Sequence, residues 1–342
     1  MGIRGCALRI GVIFGLLASV PILAQESQLE PQDNQQKREL RAINRLISAI
    51  EDGQAAPNDL SMEWARLDVL MKVPDDSLYM PFAVTIDPSG ITAKELTVYW
   101  RVVANEASTP AGAPASGGRK PGPFPYEDMT ISTVAPAAPR VIRRYFTVPA
   151  GEYDVHVIVK ELSPEDDDDP APKVSYITHS VTVPDYWNEE LATSSVVIAE
   201  RVEPLAAPLT PQQQAERPYA LGAMEIVPAT DPQFSTADFL QTWMLIYNAK
   251  TDAQNKPDVT VDYEFYVTQD GGEKFFNRTN PQALNAQTLP PQFDITLHQL
   301  QSAQEVPLSS FPAGDYRLEI KVTDKLANKS LTREVNFSIT GS

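Results

Sequence analysis

From Trp64 onward, apolar and polar residues alternate with a period of two, the spacing of strands that bury one face. Glu95 to Val103 puts Leu96, Val98, Trp100 and Val102 on one face and Glu95, Thr97, Tyr99 and Arg101 on the other, a half-buried antiparallel strand. Tyr153, Val155, Val157 and Val159 alternate in the same way with Asp154, His156 and Lys160. Strands are expected at 65–73, 78–86, 95–103, 127–134, 141–148, 152–161 and 173–183. A second set is expected at 194–202, 221–228, 239–248, 259–268, 273–278, 304–308, 315–324 and 330–339. Seven short strands over about 120 residues is the count of an immunoglobulin-type sandwich.

Before that the period is helical. Leu40, Ile43, Ile47 and Ile50 recur at helix spacing within residues 34–52, Leu46 widens the stripe, and Gly53 stands where a helix would stop. One short amphipathic helix is predicted, with its apolar face turned into the chain rather than onto a partner. Further upstream, Arg4 and Arg9 precede an apolar run from Ile10 to Leu23 that ends in Ile-Leu-Ala and becomes polar at Gln25. This reads as a secretory signal peptide cleaved after Ala24, since the run is shorter than the roughly twenty residues of a bilayer-spanning helix. No later stretch is apolar enough to span a membrane, so the expected address is exported: periplasmic, cell-surface or secreted.

A local sequence occurs twice. Val148-Pro149-Ala150-Gly151-Glu152-Tyr153-Asp154-Val155 matches Phe311-Pro312-Ala313-Gly314-Asp315-Tyr316-Arg317-Leu318, and each copy continues into an alternating strand. The duplication divides the chain into a signal peptide (1–24), an N-terminal helical segment (25–60) and two versions of one fold (61–185 and 186–342). The expected class is all-β, two tandem immunoglobulin/fibronectin-III-like β-sandwiches. Pro and Gly, with Gly151 and Gly314 at the tip, are read as a tight reversal between the last two strands of each Greek key. Tyr153 and Tyr316 take the place of a corner tyrosine that bonds nearby backbone. Trp100 is expected to be the buried indole of the third strand, and Phe265 its counterpart in the second module.

Composition narrows the chemistry. The single cysteine, Cys6, lies within the signal, so the remaining chain has neither disulfide nor thiolate ligand. Twenty-eight Lys and Arg against 45 Asp and Glu give a net charge of −17, which argues against nucleic acid and against anionic membrane surfaces as partners. The acidic run Glu165 to Asp169 lacks the alternating ligands and central glycine of a calcium loop and reads as a solvated hairpin tip; Asp252 to Asp258 reads alike. His156, His179 and His298 share no metal spacing. No Gly-x-Ser-x-Gly, Ser-x-x-Lys, phosphate loop or dinucleotide fingerprint occurs, so no catalytic residue, metal or cofactor is assigned. Three segments read as irregular: 107–125, low in complexity; 203–218, rich in proline; and 279–303, an unusually long loop.

What remains is a set of loop aromatics able to stack on sugar or fill a partner's pocket: Phe124, Tyr126, Tyr186, Trp187, Phe275 and Phe276. For Tyr186 and Trp187 the alternative is packing at the domain junction. The runs ELATSSVVIAERVEPL (190–205), RPYALGAMEIVPA (217–229), NAQTLPPQFD (285–294) and SFPAGDYRLEIKVTDKLANKSLTREVNFSI (310–339) resemble a group of uncharacterised exported bacterial proteins. Some relatives in that group are joined to von Willebrand factor A-like domains, although the Asp-x-Ser-x-Ser metal motif of that domain is not found here. The resemblance implies an extracytoplasmic β-sandwich and transfers no active residue. The leading reading is a non-enzymatic module binding another envelope or secreted protein. The alternatives are a glycan-binding protein and an accessory domain of a secreted hydrolase.

Overall fold

The computed structural model describes residue 29 and residues 33–105, 124–133, 140–162, 171–207, 209–269 and 271–341. The signal segment, residues 107–123 of the low-complexity stretch and the acidic run Glu165 to Asp169 lie outside the described residues. The chain divides between Asp185 and Tyr186 into two compact units.

The first unit begins with α1 (Asn34–Glu51), whose N-cap Asp33 accepts a hydrogen bond from the Gln36 N–H at 2.8 Å. Its strands are β1 (Glu63–Leu67), β2 (Met71–Val73), β3 (Ser77–Ile86), β4 (Glu95–Ala104), β5 (Tyr126–Thr133), β6 (Arg140–Pro149), β7 (Gly151–Glu161) and β8 (Val174–Val183). Strands β1 and β2 follow one another along one edge of β3, with β6 on its other edge. The single strand expected at 65–73 is thus broken in the middle, where buried Asp68 takes the Arg66 guanidinium. A second sheet runs β5-β4-β7-β8, antiparallel throughout. The two sheets close over Trp100, whose indole N–H donates to the Tyr145 carbonyl of the opposite sheet at 2.9 Å and whose ring meets Phe82 edge-on.

The outer face of β4 departs from the half-buried expectation. Thr97, Tyr99 and Arg101 are buried as well as Leu96, Val98, Trp100 and Val102. The cause is α1: its Ile43 and Ile47 pack with Tyr99, Met129 and Ile158 on the sheet's outer surface. The helix also carries Glu39 into this interface, where the carboxylate accepts from Lys160 Nζ at 2.8 Å and from the Thr97 hydroxyl at 3.1 Å.

The second unit contains β9 (Ala192–Thr193), β10 (Val197–Pro204), α2 (Pro211–Glu216), β11 (Ala220–Leu221), β12 (Met224–Pro228), β13 (Gln233–Ser235), β14 (Phe239–Tyr247), β15 (Val259–Gln269), β16 (Gly272–Arg278), β17 (Gln282–Leu284), β18 (Leu300–Pro307), β19 (Gly314–Asp324) and β20 (Lys329–Thr340). One sheet runs β11-β12-β10-β14-β18, with β9 extending the line of β10 along β14. The other runs β13-β20-β19-β15-β16, with β17 following β16 along β15 and β13 pairing parallel to β20. Side chains from both sheets, among them Ile198, Leu240, Met244, Phe265, Leu318 and Phe337, form one core. Both units are therefore all-β sandwiches of the immunoglobulin/fibronectin-III kind, pairing strand order across two sheets as that fold requires.

Three sequence expectations need correction here. The Pro-Ala-Gly step joins β6 to β7, and in the second unit leads from β18 to β19, so it carries the chain from one sheet to the other. The last two strands of each unit, β7 with β8 and β19 with β20, are instead paired neighbours in one sheet. The proline-rich segment at 203–218 contains α2, closed by a capping box between Thr210 and Gln213. The long loop at 279–303 is shortened at both ends, by β17 and by the start of β18, and its interior buries Leu289 and Phe293.

Candidate binding face

Strand β15 turns Val259, Val261, Tyr263, Phe265 and Val267 into the core, which leaves Asp262, Glu264 and Tyr266 on the opposite face. In β19, Tyr316, Leu318, Ile320 and Val322 point inward, leaving Arg317 and Glu319 outward. Beside β15 the register shifts between Phe265/Tyr266 and Asn277/Phe275, a bulge that skips Phe276. The consequence is a division of labour between two adjacent phenylalanines. Phe276 packs on Phe311 and Tyr316 at centroid distances of 4.9 and 5.7 Å, while Phe275 is turned out and stands 56% exposed.

Register then assembles the face. Tyr266 is paired with Phe275 on one side and Arg317 on the other. The Arg317 guanidinium lies 4.4 Å from the Tyr266 ring centroid, and the Phe275 ring meets Tyr266 at 5.9 Å and 81°. Arg317 donates to Glu273 at 3.0 Å, to Glu319 at 3.0 Å and to Glu334 at 2.8 Å, and the Tyr266 hydroxyl donates to Glu264 at 2.9 Å. These bonds have titration consequences: the Glu273 hydrogen bond, seconded by Glu319, raises Arg317; the Arg317 bond lowers Glu273; and the Glu264 bond raises Tyr266. Three carboxylates surround one cation and a fourth takes the neighbouring phenol, so the face is acidic beside an apolar tip.

The other aromatic candidates are placed differently. Tyr126 is buried, with its ring 6.5 Å from Trp100, and so is core rather than ligand-facing. Tyr186 is buried too, its hydroxyl donating to the Thr193 carbonyl at 2.5 Å. Phe124 lies beneath the Arg101 guanidinium at 4.6 Å, and Trp187 is 42% exposed. Among the corner residues, the Tyr316 hydroxyl donates to the Pro312 carbonyl at 2.7 Å. The Tyr153 ring instead rests against Gly151, where an added Cβ would come within 3.1 Å of it. Phe265 meets Phe311 and Phe337 edge-on in the second core. Sequence reasoning did not single out Tyr266, Arg317, Glu273 or Glu334; alternation placed the first two outward, but nothing in the sequence sets the register that joins them.

The ionisable residues elsewhere serve the scaffold. His156 Nδ1 lies 2.6 Å from the Tyr176 hydroxyl, His179 stacks on Trp64 at 4.5 Å, and His298 Nδ1 lies 3.0 Å from the Asp294 carbonyl. Asp252 caps its own turn by accepting from the Gln254 and Lys256 N–H groups, each at 2.9 Å. Among the described residues, no group of three or more His, Cys, Asp or Glu side chains could hold a metal ion, and no helix is long and apolar enough to cross a membrane.

No protein-family model matches the chain, and no curated protein matches it. The von Willebrand linkage implied by the sequence resemblance therefore gains no support. Solved structures similar to the chain include Salmonella alpha-2-macroglobulin reacted with methylamine, at 10% identity and a TM-score of 0.23, covering 84% of this chain and 17% of that one. They also include the native conformation of E. coli alpha-2-macroglobulin, at 12% identity and a TM-score of 0.21, covering 84% of this chain and 16% of that one. The chain spans less than a fifth of either protein. Likeness at this level carries no argument, and the fold assignment rests on the strand pairing.

Proposed function

We propose that this chain is an exported, non-enzymatic binding module, and that the outer face of β16-β15-β19-β20 takes a protein partner presenting cationic side chains around an apolar contact. The observation that carries this reading is the exposure of Phe275 at 56% on a sheet face that also carries Glu264, Glu273, Glu319 and Glu334. In the first unit, the matching face of β5-β4-β7-β8 is closed by α1. Exposed aromatic anchors are where protein interfaces concentrate their energy, and covering the rest of Phe275 is worth about 1–2 kcal/mol from apolar burial. Strand β16 is also the edge of its sheet, which leaves its outer backbone groups open to an added strand. A glycan has less support, because Phe275 and Tyr266 meet at 81° and one Tyr266 face is taken by Arg317, so they form no flat platform.

The test is Phe275→Asp. The variant is expected to unfold within about 0.5 kcal/mol of the parent, as exposed positions do, and to lose the protein that the parent retains from native envelope extract. An equal yield of that protein with the variant, or retention on a polysaccharide array with no protein retained, contradicts the reading.

A further inference from the structure

A protein of net charge −17 carries a cationic stripe along one helix. Lys37, Arg41 and Arg45 follow one another at four-residue intervals on α1, Arg38 lies beside them, and all four are exposed. At 1.5 Å per residue the stripe is about 12 Å long. We propose that it docks the first unit on an anionic lipid surface.

The helix is held so that this stripe must face out. Ile43 and Ile47 are buried against Tyr99, Met129 and Ile158, and Glu39 is bound beneath the helix to Lys160. With its apolar face engaged, α1 does not insert; the contact is electrostatic, at the depth of the headgroups. Glu39 and Glu51 are engaged with Lys160 and Arg101, and Asp33 stands at the cap, one turn ahead of Lys37, which leaves Arg38, Arg41 and Arg45 without a carboxylate beside them on the helix. Asp52 stands beyond the last turn. Among the described residues, none of the four cations forms an ion pair.

The occupant follows from what the stripe lacks. Between residues 37 and 48 the exposed positions are Lys37, Arg38, Arg41, Asn44, Arg45 and Ser48, with no apolar or aromatic residue to anchor a protein. An anionic headgroup surface asks only for clustered cations. The chain's overall negative charge does not prevent this, because at physiological salt its remote carboxylates are screened beyond about 8 Å while the stripe acts at contact. Along this stripe the local charge is opposite in sign to that of the whole chain.

The experiment is co-sedimentation of the full chain with vesicles of phosphatidylcholine alone and with about 30% phosphatidylglycerol added. Binding is expected only to the anionic vesicles and is expected to fall with added salt. The triple variant Lys37→Gln, Arg41→Gln, Arg45→Gln should bind about a hundredfold more weakly, roughly fivefold per charge, with an unchanged thermal midpoint as its folding control. Failure of the parent chain to bind anionic vesicles, or equal binding by parent and variant, overturns the proposal.

Discussion

Asp128 on β5 pairs across from Trp100, and burial pushes its carboxyl up to about 6, with the Met129 N–H and the Arg144 guanidinium pulling the other way. A carboxyl raised above its unfolded value of about 3.9 favours the neutral form in the fold. Its contribution is therefore most favourable below about pH 4 and is lost as pH rises through 6. Asp128→Asn should accordingly stabilise the first unit by about 1–3 kcal/mol at about pH 8 and have little effect near pH 4. Urea unfolding at the two pH values measures this, and a gain independent of pH would refute it. At the corner of the second unit, Tyr316→Phe removes the bond to the Pro312 carbonyl and should cost about 1 kcal/mol. An unchanged unfolding midpoint would show that the hydroxyl has no role there. The recurrence of Pro-Ala-Gly-acid-Tyr was legible in the sequence, but the passage from one sheet to the other that it makes was not. Nor was the division between Phe275 and Phe276, because it depends on a bulge set by the neighbouring strand.

Among the elements, α1 shows how tertiary context changes a local pattern. The helix was legible from its apolar period and its cap, but the surface it covers was not. Alternation in β4 marks one face as core and says nothing about a helix that buries Thr97 and Tyr99 from the other side. The Glu39–Lys160 pair is part of that closure. Glu39→Ala leaves the Lys160 ammonium buried without its carboxylate and should cost about 3–5 kcal/mol, whereas Glu39→Leu with Lys160→Met should be far milder. Equal stability of the single variant and the parent, in denaturant unfolding, would mean that the helix is not held by this pair. The longest periodic strands, such as β4, β7, β15, β19 and β20, were readable within a residue or two, whereas β10, β12 and β18 begin three or four residues from where they were expected. Elements such as β13 and β17, three residues each, are too short for a period to register. The helix α2 was hidden by the prolines around it, although Thr210-Pro211 with Gln213 is a helix start.

Across the molecule, one sandwich design is used twice with different outcomes on the same face. In both units the Pro-Ala-Gly corner carries the chain into the sheet that holds the buried aromatic strand, β4 with Trp100 or β15 with Phe265. The first unit closes the outside of that sheet with α1; the second leaves Phe275 exposed beside half-buried Tyr266 and the carboxylates bonded to Arg317. That contrast, rather than any catalytic constellation, supports a binding role. The most direct measurement places the photoreactive residue p-benzoylphenylalanine at position 275 and, separately, at exposed Glu305 on β18 of the other sheet, then irradiates each in native envelope extract. A discrete protein adduct at 275, much weaker at 305 and suppressed by a cationic competitor peptide, is the predicted result. No discrete adduct at 275, or equal adducts at both positions, would contradict the assignment of this face as the binding site.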